Sequence, residues 1–411
     1  MSGSQDREGI QEVPRIEPSF ISQLGPLLFL SGIFFLNYLS RIILSPLLPT
    51  IEQDLKIGHG GAGSLFFLVS LGYCVMLLAS GFVSSRLAHR RTIVLSALAV
   101  GGALIIVSVS RGLWGIRLGL IGLGLASGLY LPSGIATLTE FVTPKDLGKA
   151  LAVHELAPNL GLMLAPFFVE AFLGWCSWRG ILMSLGITAM GAGLLFALWG
   201  RRQTLPGQAP NTKILRNLLL ERSFWILIIL FSLGIGASLG VYSMVPLYLV
   251  SERGMERSLA NSWLGLSRIS ALGTVFLSGW LADRLGPRLT LGAVFLTAGL
   301  LTAMLGIAPR SWIVPIIFLQ PVATASFFPP AFAVLSQISS PRIKNVTVSL
   351  TLPVAYLLGG GAIPAVIGVM GERSSFHLGF IMVGILLFGG LWLLRFLRFI
   401  GYENETRPFV G

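Results

Sequence analysis

The sequence predicts an all-α membrane protein with 12 transmembrane helices arranged as two pseudo-symmetric six-helix bundles. Two observations predict this fold class. The chain is 54% hydrophobic and only 11% charged, whereas about 25% of residues are charged in soluble domains. A short glycine- and arginine-rich cassette also occurs twice, beginning at Gly81 and at Gly279, 198 residues apart. A repeat of about half the chain length indicates two related bundles.

Twelve mostly apolar segments are long enough to cross about 30 Å of hydrocarbon as helices. Their expected spans are 24–50, 61–84, 92–110, 113–139, 148–173, 178–200, 223–250, 258–282, 288–308, 311–337, 346–370 and 376–399. The hydrophilic stretch 201–222 contains Pro206, Gly207 and Pro210 and is predicted to be a linker. It separates an N-terminal bundle over 22–200 from a C-terminal bundle over 223–400, with tails over 1–21 and 401–411.

The distribution of charge predicts the orientation. The net charge is +12, and 19 of the 29 Lys and Arg residues fall in the two tails, the linker and the loops on their side of the membrane. Seven fall on the opposite side. The positive-inside rule therefore predicts cytoplasmic N- and C-termini in a multi-pass protein of the plasma (inner) membrane. We expect membrane lipids rather than nucleic acid to meet this charge, and we expect a monomer.

The cassette follows the second helix of each half. The copies read Gly81-Phe-Val-Ser-Ser85-Arg86-Leu-Ala88-His-Arg90-Arg91 and Gly279-Trp-Leu-Ala-Asp283-Arg284-Leu-Gly286-Pro-Arg288. The glycine permits close helix approach, the arginines hold the loop at an anionic membrane surface, and the acid can cap a neighbouring helix. A purely anchoring role for these loops is the alternative.

These residues resemble the major facilitator superfamily of transporters, whose loop after the second helix of each half reads Gly-x-x-x-Asp-Arg-x-Gly-x-Arg-Arg/Lys. The second copy departs from it at Leu289, and the first copy has Ser85 for the acid and Ala88 for the second glycine. The resemblance implies a latch that holds the cytoplasmic side shut in the outward-facing state. It also implies a weaker latch around Ser85 than around Asp283.

Two arginines are candidates for binding an anion. An ionisable side chain near the middle of a membrane costs about 2.5–3.5 kcal/mol on insertion scales, which makes each a functional candidate. Arg41 lies in the first predicted helix, with Asn37 and Tyr38 on nearly the same face, and Arg268 lies in the eighth. A guanidinium offers a rigid fork of donors to a carboxylate. The alternative is structural, with each arginine bound to an acid or to helix C-terminal carbonyls.

The stretch from Asn37 to Arg41 resembles the first helix of the organic-anion branch of the same superfamily. Ser40 stands where that branch usually has an aspartate, which puts the proton-coupling role of this position in doubt. The position of Arg268 in the eighth helix resembles monocarboxylate and oxalate carriers, which use an arginine in that helix. The resemblance therefore implies a carboxylate substrate. Further candidates for lining the binding site are Tyr130, Asn159, Tyr242, Gln320 and Tyr356.

Glu155 and His154 in the fifth predicted helix are the candidates for proton coupling. A carboxyl in a low-dielectric site can take up a proton near neutral pH, and a histidine titrates there unaided. Adjacent helical residues point about 100° apart, so the two side chains cannot face one cavity equally. A structural glutamate near the cytoplasmic side is the alternative.

Together these patterns predict a secondary transporter that moves a small organic anion by alternating access, coupled to protons. A proton-driven exporter of drugs or amphiphiles with the same fold is the rival hypothesis. A membrane sensor without transport is the alternative from another class. We expect neither catalysis, metal nor cofactor, because the sequence carries no Walker-type phosphate loop and no clustered Cys and His residues.

Overall fold

The computed structural model describes residues 20–200, 218–338 and 344–397. In these ranges the predicted all-α class is confirmed, and 12 helices are long and apolar enough to span a membrane. They are α1 (Phe20–Leu55), α2 (His59–Leu87), α3 (His89–Val109), α4 (Leu113–Phe141), α5 (Pro144–Leu173), α6 (Trp178–Trp199), α7 (Arg222–Ser251), α8 (Arg257–Leu285), α9 (Pro287–Ile307), α10 (Arg310–Ile338), α11 (Val346–Arg373) and α12 (Phe376–Phe396). Most of the predicted tails and linker lies outside the described residues.

Helix crossings inside the two halves repeat with the spacing of the cassette. α3 crosses α6 at Gly101, where an added Cβ would lie 2.4 Å from the carbonyl oxygen of Gly186. The equivalent crossing of α9 and α12 is at Gly299 and Gly384, each 198 residues further along. There a Cβ on Gly384 would lie 2.7 Å from the carbonyl oxygen of Gly299. Glycine at both crossings lets the helix backbones touch, as membrane helices commonly do.

Several helices are interrupted near their middle. α1 breaks at Ile43 and α4 at Leu129, while α7 and α11 each contain a π-helical segment, Gly236–Gly240 and Tyr356–Ala362. The two π segments pack backbone to backbone, since a Cβ on Gly359 would lie 2.6 Å from the amide nitrogen of Gly236. A π segment replaces the regular i to i−4 pattern and is frequent at functional sites.

The two halves touch at one end. We call the end where α1 begins and α6 and α12 finish the linker end, and the opposite one the far end. Near the far end, a Cβ added to Gly63 of α2 would lie 2.5 Å from the carbonyl oxygen of Pro364 in α11. Similarly, one on Gly265 of α8 would lie 3.0 Å from the carbonyl oxygen of Met163 in α5. These contacts close the space between the halves at the far end.

Candidate functional site

Arg41 lies in α1 just before the helix break at Ile43. Its guanidinium carbon is 4.2 Å from the ring centroid of Tyr73 in α2 and 5.1 Å from that of Tyr38. Its Nε is buried and has no hydrogen-bond partner among the described residues. The positive charge therefore lies against aromatic faces, which attract cations. The Nε–H remains available to donate a hydrogen bond.

Arg268 lies in α8, the second helix of the other half, and also packs against a tyrosine ring. The side chain is 6% exposed, and its guanidinium carbon lies 4.5 Å from the ring centroid of Tyr242 in α7. Nη2 donates to the carbonyl oxygen of Ser238 at 3.4 Å, which lies in the π segment where the regular helical pattern is lost. The buried Nε again finds no partner in the described part of the chain.

Tyrosine side chains connect the two arginines. Tyr38 lies within electrostatic range of both guanidinium groups. The ring of Tyr73 meets that of Tyr356 in α11 edge to face, with centroids 5.4 Å apart. This tyrosine layer, consisting of Tyr38, Tyr73, Tyr242 and Tyr356, lies between the halves. Tyr73 was not among the predicted site residues; the available signal was a tyrosine inside an apolar helix.

The ion pairs among the described residues do not include either arginine. They join Glu52 to His59, Asp146 to Lys149, His154 to Glu155, Asp54 to Arg179, Glu170 to Arg257 and Glu252 to His377. The structural alternative was that each arginine binds an acid or a helix carbonyl. Pairing with an acid is not observed for Arg41 or Arg268 among the described residues. Binding to a helix carbonyl is observed for Arg268. A buried charge without a counter-ion strongly favours an anionic partner.

His154 is fully buried inside the N-terminal half. Its ring stacks on Phe34 with centroids 4.4 Å apart, and its Nε2 lies 3.1 Å from the hydroxyl of Tyr130. That hydroxyl donates its one proton to the carbonyl oxygen of Leu30 at 2.8 Å. With the Tyr130 proton on Leu30, Nε2 is the donor to the Tyr130 hydroxyl, and in a neutral ring Nδ1 is then the acceptor. Nδ1 lies 3.7 Å from Oε1 of Glu155.

Glu155 faces the space between the halves. Its side chain is 57% exposed, although it lies in the middle part of α5. It is within electrostatic range of Tyr38, Tyr73 and Tyr356, and the last of these belongs to the other half. Asn159, one turn further, donates from Nδ2 to the carbonyl oxygen of Glu155 at 3.0 Å. The exposure of Glu155 indicates that this space is open toward the linker end.

Three predicted substrate contacts lie inside one half instead of between the halves. Asn37 donates to the hydroxyl of Ser96 at 3.4 Å and to the carbonyl oxygen of Ser127 at 3.3 Å. Tyr130 bonds within the N-terminal half, as described for His154. Gln320 donates to the carbonyl oxygen of Ala237 at 2.9 Å and thereby holds the π segment of α7. The geometry gives these side chains internal partners.

Two hydrogen bonds cross between the halves next to the arginines. The hydroxyl of Tyr242 donates to the carbonyl oxygen of Leu162 in α5 at 2.9 Å. The hydroxyl of Ser45 in α1 donates to the carbonyl oxygen of Tyr242 at 3.0 Å. Pro166 and Pro246 lie four residues after these two acceptors. Because proline has no backbone N–H, each carbonyl lacks its helical donor and is free to accept across the interface.

An ion pair reinforces the closure at the far end. Arg257 of α8 binds Glu170 of α5 through two contacts, Nε to Oε1 at 3.2 Å and Nη2 to Oε2 at 3.4 Å. Asn261, one turn further along α8, donates to Oε1 of Glu170 at 2.6 Å and to the carbonyl oxygen of Pro46 at 3.2 Å. These contacts join α1, α5 and α8.

The cassettes lie at the linker end. Ser85 donates to the carbonyl oxygen of Phe82 in its own helix at 2.8 Å. α3 begins without a side-chain cap, so Ser85 does not cap it. Asp283 is exposed, and no salt bridge to it is found among the described residues. Arg284 lies over Trp280 with 5.0 Å between its guanidinium carbon and the ring centroid. Among the contacts between described residues, none links Ser85 or Asp283 to the opposite half.

The turns of the two cassettes share one backbone conformation. Gly286 has a φ of 87° and Ala88 a φ of 62°. A threonine four residues later donates to the carbonyl oxygen in each turn: Thr290 to Gly286 at 3.0 Å and Thr92 to Ala88 at 2.9 Å. Glycine adopts a positive φ without cost, whereas alanine is strained there. The first copy has therefore lost its glycine but kept the turn that glycine favours.

Comparisons with known proteins agree with this architecture. A model of the Major Facilitator Superfamily matches residues 30–351. A probable sulfoacetate transporter of Cupriavidus necator is 22% identical over 390 residues, covering 86% of this chain and 89% of the relative. An uncharacterized transporter of the same superfamily type from Yersinia pestis is 29% identical over 402 residues, covering 96% and 98%.

Among solved structures, the fold is similar to that of a bacterial homologue of the human lysosomal transporter Spinster in an inward-facing and occupied conformation. The TM-score is 0.79 at 17% sequence identity, and the match covers 92% of this chain and 97% of that one. This chain is an integral, multi-pass membrane protein. The conclusion rests on the twelve candidate membrane spans in the described residues, the repeated cassette and the family match. The chain belongs to the Major Facilitator Superfamily of transporters.

Proposed function

We propose that this transporter moves a small organic anion of the carboxylate type, coupled to protons, and that Arg41 and Arg268 bind the anion. The observation that carries the proposal is the pair of arginines, one in each half, that face the tyrosine layer without an acidic partner among the described residues. Each keeps a buried Nε free to donate. A carboxylate accepts such donors in charge-assisted hydrogen bonds.

The name of one relative, a probable sulfoacetate transporter, also refers to a small organic anion. In the state described here, contacts between the halves close the far end, and the exposed side chain of Glu155 supports an opening toward the linker end. With cytoplasmic termini, as the charge bias predicts, this is the inward-facing state. An anion that binds both arginines draws the two halves together, which is what alternating access about a central site requires.

The proton site in this proposal is the pair His154 and Glu155. Oε1 of Glu155 lies 3.7 Å from Nδ1 of His154, so the carboxylate charge would stabilise a proton taken up by the ring. Glu155 is exposed to the open side and lies within electrostatic range of the tyrosine layer. A proton taken up there reduces the negative charge beside the anion site and thus favours binding of the anion.

The decisive experiment measures uptake into proteoliposomes with an imposed proton gradient, using lactate, succinate and sulfoacetate as probes. We expect Arg41→Gln and Arg268→Gln each to lower uptake of the transported anion roughly tenfold or more, because a hydrogen bond between charged groups is lost. Arg→Lys at either position keeps the charge but loses the fork, and should give intermediate rates.

The matched control is Arg117→Gln in the first turns of α4, where the guanidinium lies over Trp114 at 5.3 Å from the ring centroid. This variant should transport as the unchanged protein does. Unchanged uptake by both Arg41→Gln and Arg268→Gln would refute the anion site. If none of the anions stabilises the purified protein against heat while amphiphilic drugs do, the exporter hypothesis replaces the proposal.

A further inference from the structure

The start of α2 at the far end is covered by a carboxylate from the opposite half. Oε2 of Glu372 in α11 accepts a hydrogen bond from the amide of Gly60 at 2.8 Å. Glycines leave room for it, because a Cβ on Gly58 would lie 2.5 Å from the carboxyl carbon of Glu372. The first amides of a helix lack a helical partner and attract negative charge. This hydrogen bond therefore joins the two halves at the far end.

A second carboxylate lies beside this contact, in the N-terminal half. Oε2 of Glu52, near the end of α1, lies 2.9 Å from Nδ1 of His59, the first residue of α2. Glu52 is also within electrostatic range of Glu372. Because the two carboxylates belong to opposite halves, closing the far end brings like charges together. A positive charge on His59 would offset this repulsion.

The ring of His59 takes part in the contact between the halves. Its centroid is 4.9 Å from that of Phe376 in α12. A Cβ on Gly368 of α11 would lie 2.3 Å from the carbonyl oxygen of His59, so the backbones also touch. The His59 side chain is nevertheless 26% exposed. It is held at the interface and remains in contact with the solution on the far side.

The equivalent contact in the other pair of helices carries a permanent charge. Residues 59 and 257 correspond across the 198-residue repeat, as do 170 and 368. Arg257 of α8 binds Glu170 of α5 and joins the halves, whereas the crossing of α2 with α11 has His59 at the place of the arginine. Arginine keeps its charge, and histidine gains or loses its charge between about pH 5 and 8. One of the two related contacts is therefore fixed and the other can titrate.

The other charged groups near His59 have partners elsewhere or lie in water. On α12, His377 pairs with Glu252 at the end of α7, and both belong to the C-terminal half. Arg253 donates to carbonyl oxygens at the end of α9. The side chains of Lys56 and Arg373 are exposed, where water and salt screen their charge. Among the described residues, the two carboxylates on α1 and α11 are thus the charges that matter most to the His59 ring.

We infer that His59 makes the contact between α2 and α11 at the far end sensitive to pH. In the closed state Glu372 lies close and favours a proton on His59. In the open state that carboxylate has moved away with its half, and only Glu52 remains beside the ring. The closed state therefore binds the proton more tightly, so a lower pH on the far side stabilises it. Loss of the proton at higher pH leaves two carboxylates facing each other and favours opening.

The test measures the distance between spin labels, carried by noncanonical amino acids at positions 175 and 312, in full-length protein without substrate in nanodiscs of zwitterionic lipid. These positions lie at the far end of opposite halves, and Trp175 and Trp312 are 92% and 58% exposed. Raising the pH from about 5.5 to about 8 should increase the ratio of open to closed molecules about two- to fivefold, the effect of one partly exposed charge pair. This range lies above that in which an ordinary carboxylate takes up a proton, about pH 4.3.

Substitutions at the contact separate the roles of the ring and the carboxylate. His59→Gln should give the same label distances at both pH values. His59→Arg should hold the far end closed at both, because its charge does not titrate. Glu372→Gln weakens the bond to Gly60 and should favour opening at the lower pH as well. An undiminished pH response in His59→Gln, or none in the unchanged protein, would overturn the inference.

His377→Gln is the matched control, because this second far-end histidine pairs with Glu252 inside one half. It should respond to pH as the unchanged protein does, and an equal loss of the response in His377→Gln and His59→Gln would overturn the inference. His154→Gln should also keep the response. If it alone abolishes the response, proton uptake between the halves is the cause, which overturns this inference and leaves the anion site intact. Because no substrate is present, failure of the anion proposal would not change these distances.

Discussion

The guanidinium carbon of Arg41 lies 4.2 Å from the ring centroid of Tyr73, which joins the first helix of the N-terminal half to the second. The C-terminal half has the same pairing with the roles exchanged: Tyr242 lies on its first helix and Arg268 on its second, 4.5 Å apart. Each arginine is thus supported by its own half. When the halves move relative to each other, each charge travels with its aromatic support.

Replacing Tyr73 tests whether the ring positions Arg41. Tyr73→Leu removes the cation–π contact and should weaken binding of the transported anion about 2- to 30-fold. Tyr73→Phe keeps the aromatic face and should bind nearly as well as the unchanged protein. Thermal stabilisation by a series of anion concentrations measures both affinities. Equal loss in the two variants would argue against the ring contact and for a role of the hydroxyl.

Removing the hydroxyl of Tyr242 should favour opening at the far end. Tyr242→Phe loses the hydrogen bond to Leu162 but keeps the ring over Arg268, and a net loss of about 1 kcal/mol shifts the equilibrium about fivefold. Distances between spin labels placed on the far ends of α2 and α11 measure this shift.

Tyr248→Phe is the control for Tyr242→Phe, because the Tyr248 hydroxyl donates to the carbonyl oxygen of Leu305 inside the C-terminal half. It should lower thermal stability and leave the label distances unchanged. Label distances that move equally in both variants would contradict a specific role of the bond between Tyr242 and Leu162.

Ala88→Gly should stabilise the protein by about 1 kcal/mol, because alanine at a φ of 62° is strained and glycine is not. The reverse change at the equivalent turn, Gly286→Ala, should destabilise it by a similar amount. Ala88→Ser keeps a Cβ and serves as the control without relief of strain. Denaturation of the purified protein measures all three, and a lower melting temperature for Ala88→Gly would refute the strain.

His154→Gln should separate proton coupling from binding. The amide can still donate to Tyr130, yet it cannot take up the proton that the proposal assigns to Nδ1 of the histidine. We expect exchange of labelled anion without a gradient to persist, while accumulation driven by a proton gradient is lost. Glu155→Gln should behave in the same way. Accumulation that survives both changes would place the proton site elsewhere.

The second cassette should matter more than the first for closing the linker end. Asp283 carries the charge that Ser85 lacks, and the Ser85 hydroxyl donates its hydrogen to the carbonyl oxygen of Phe82 in its own helix. Asp283→Asn should therefore slow transport cycling more than Ser85→Ala. Counterflow rates in proteoliposomes compare the two, and equal tolerance would mean that the acid does not act in the latch.

The sequence was sufficient for the fold because apolar length alone marks membrane helices. Each predicted span overlaps one observed helix. The turn at Ile43 and the π character of the segments Gly236–Gly240 and Tyr356–Ala362 were not predicted. Their hydrogen-bond pattern depends on tertiary partners. Gln320, for example, donates to Ala237 from another helix.

The site was only partly predictable. Arg41 and Arg268 stood out because charge is rare in membrane helices, and both lie at the tyrosine layer. Asn37 shares a helical face with Arg41, but its amide turns to α3 and α4. Residues on one face of a helix can contact different neighbouring helices. Sequence spacing does not show which neighbour each side chain contacts. Tyr73 was missed for the same reason, since only packing shows the face of α2 that meets α1.

Pro166 and Pro246 have a consequence for how the far end opens. The carbonyl oxygens of Leu162 and Tyr242 are now bonded to hydroxyl groups of the opposite half. Once the halves part, neither helix can supply a backbone donor in exchange, so water must enter and hydrate both oxygens. Wetting of this layer is therefore part of the opening step, and conditions that lower water activity should hold the transporter in the state described here.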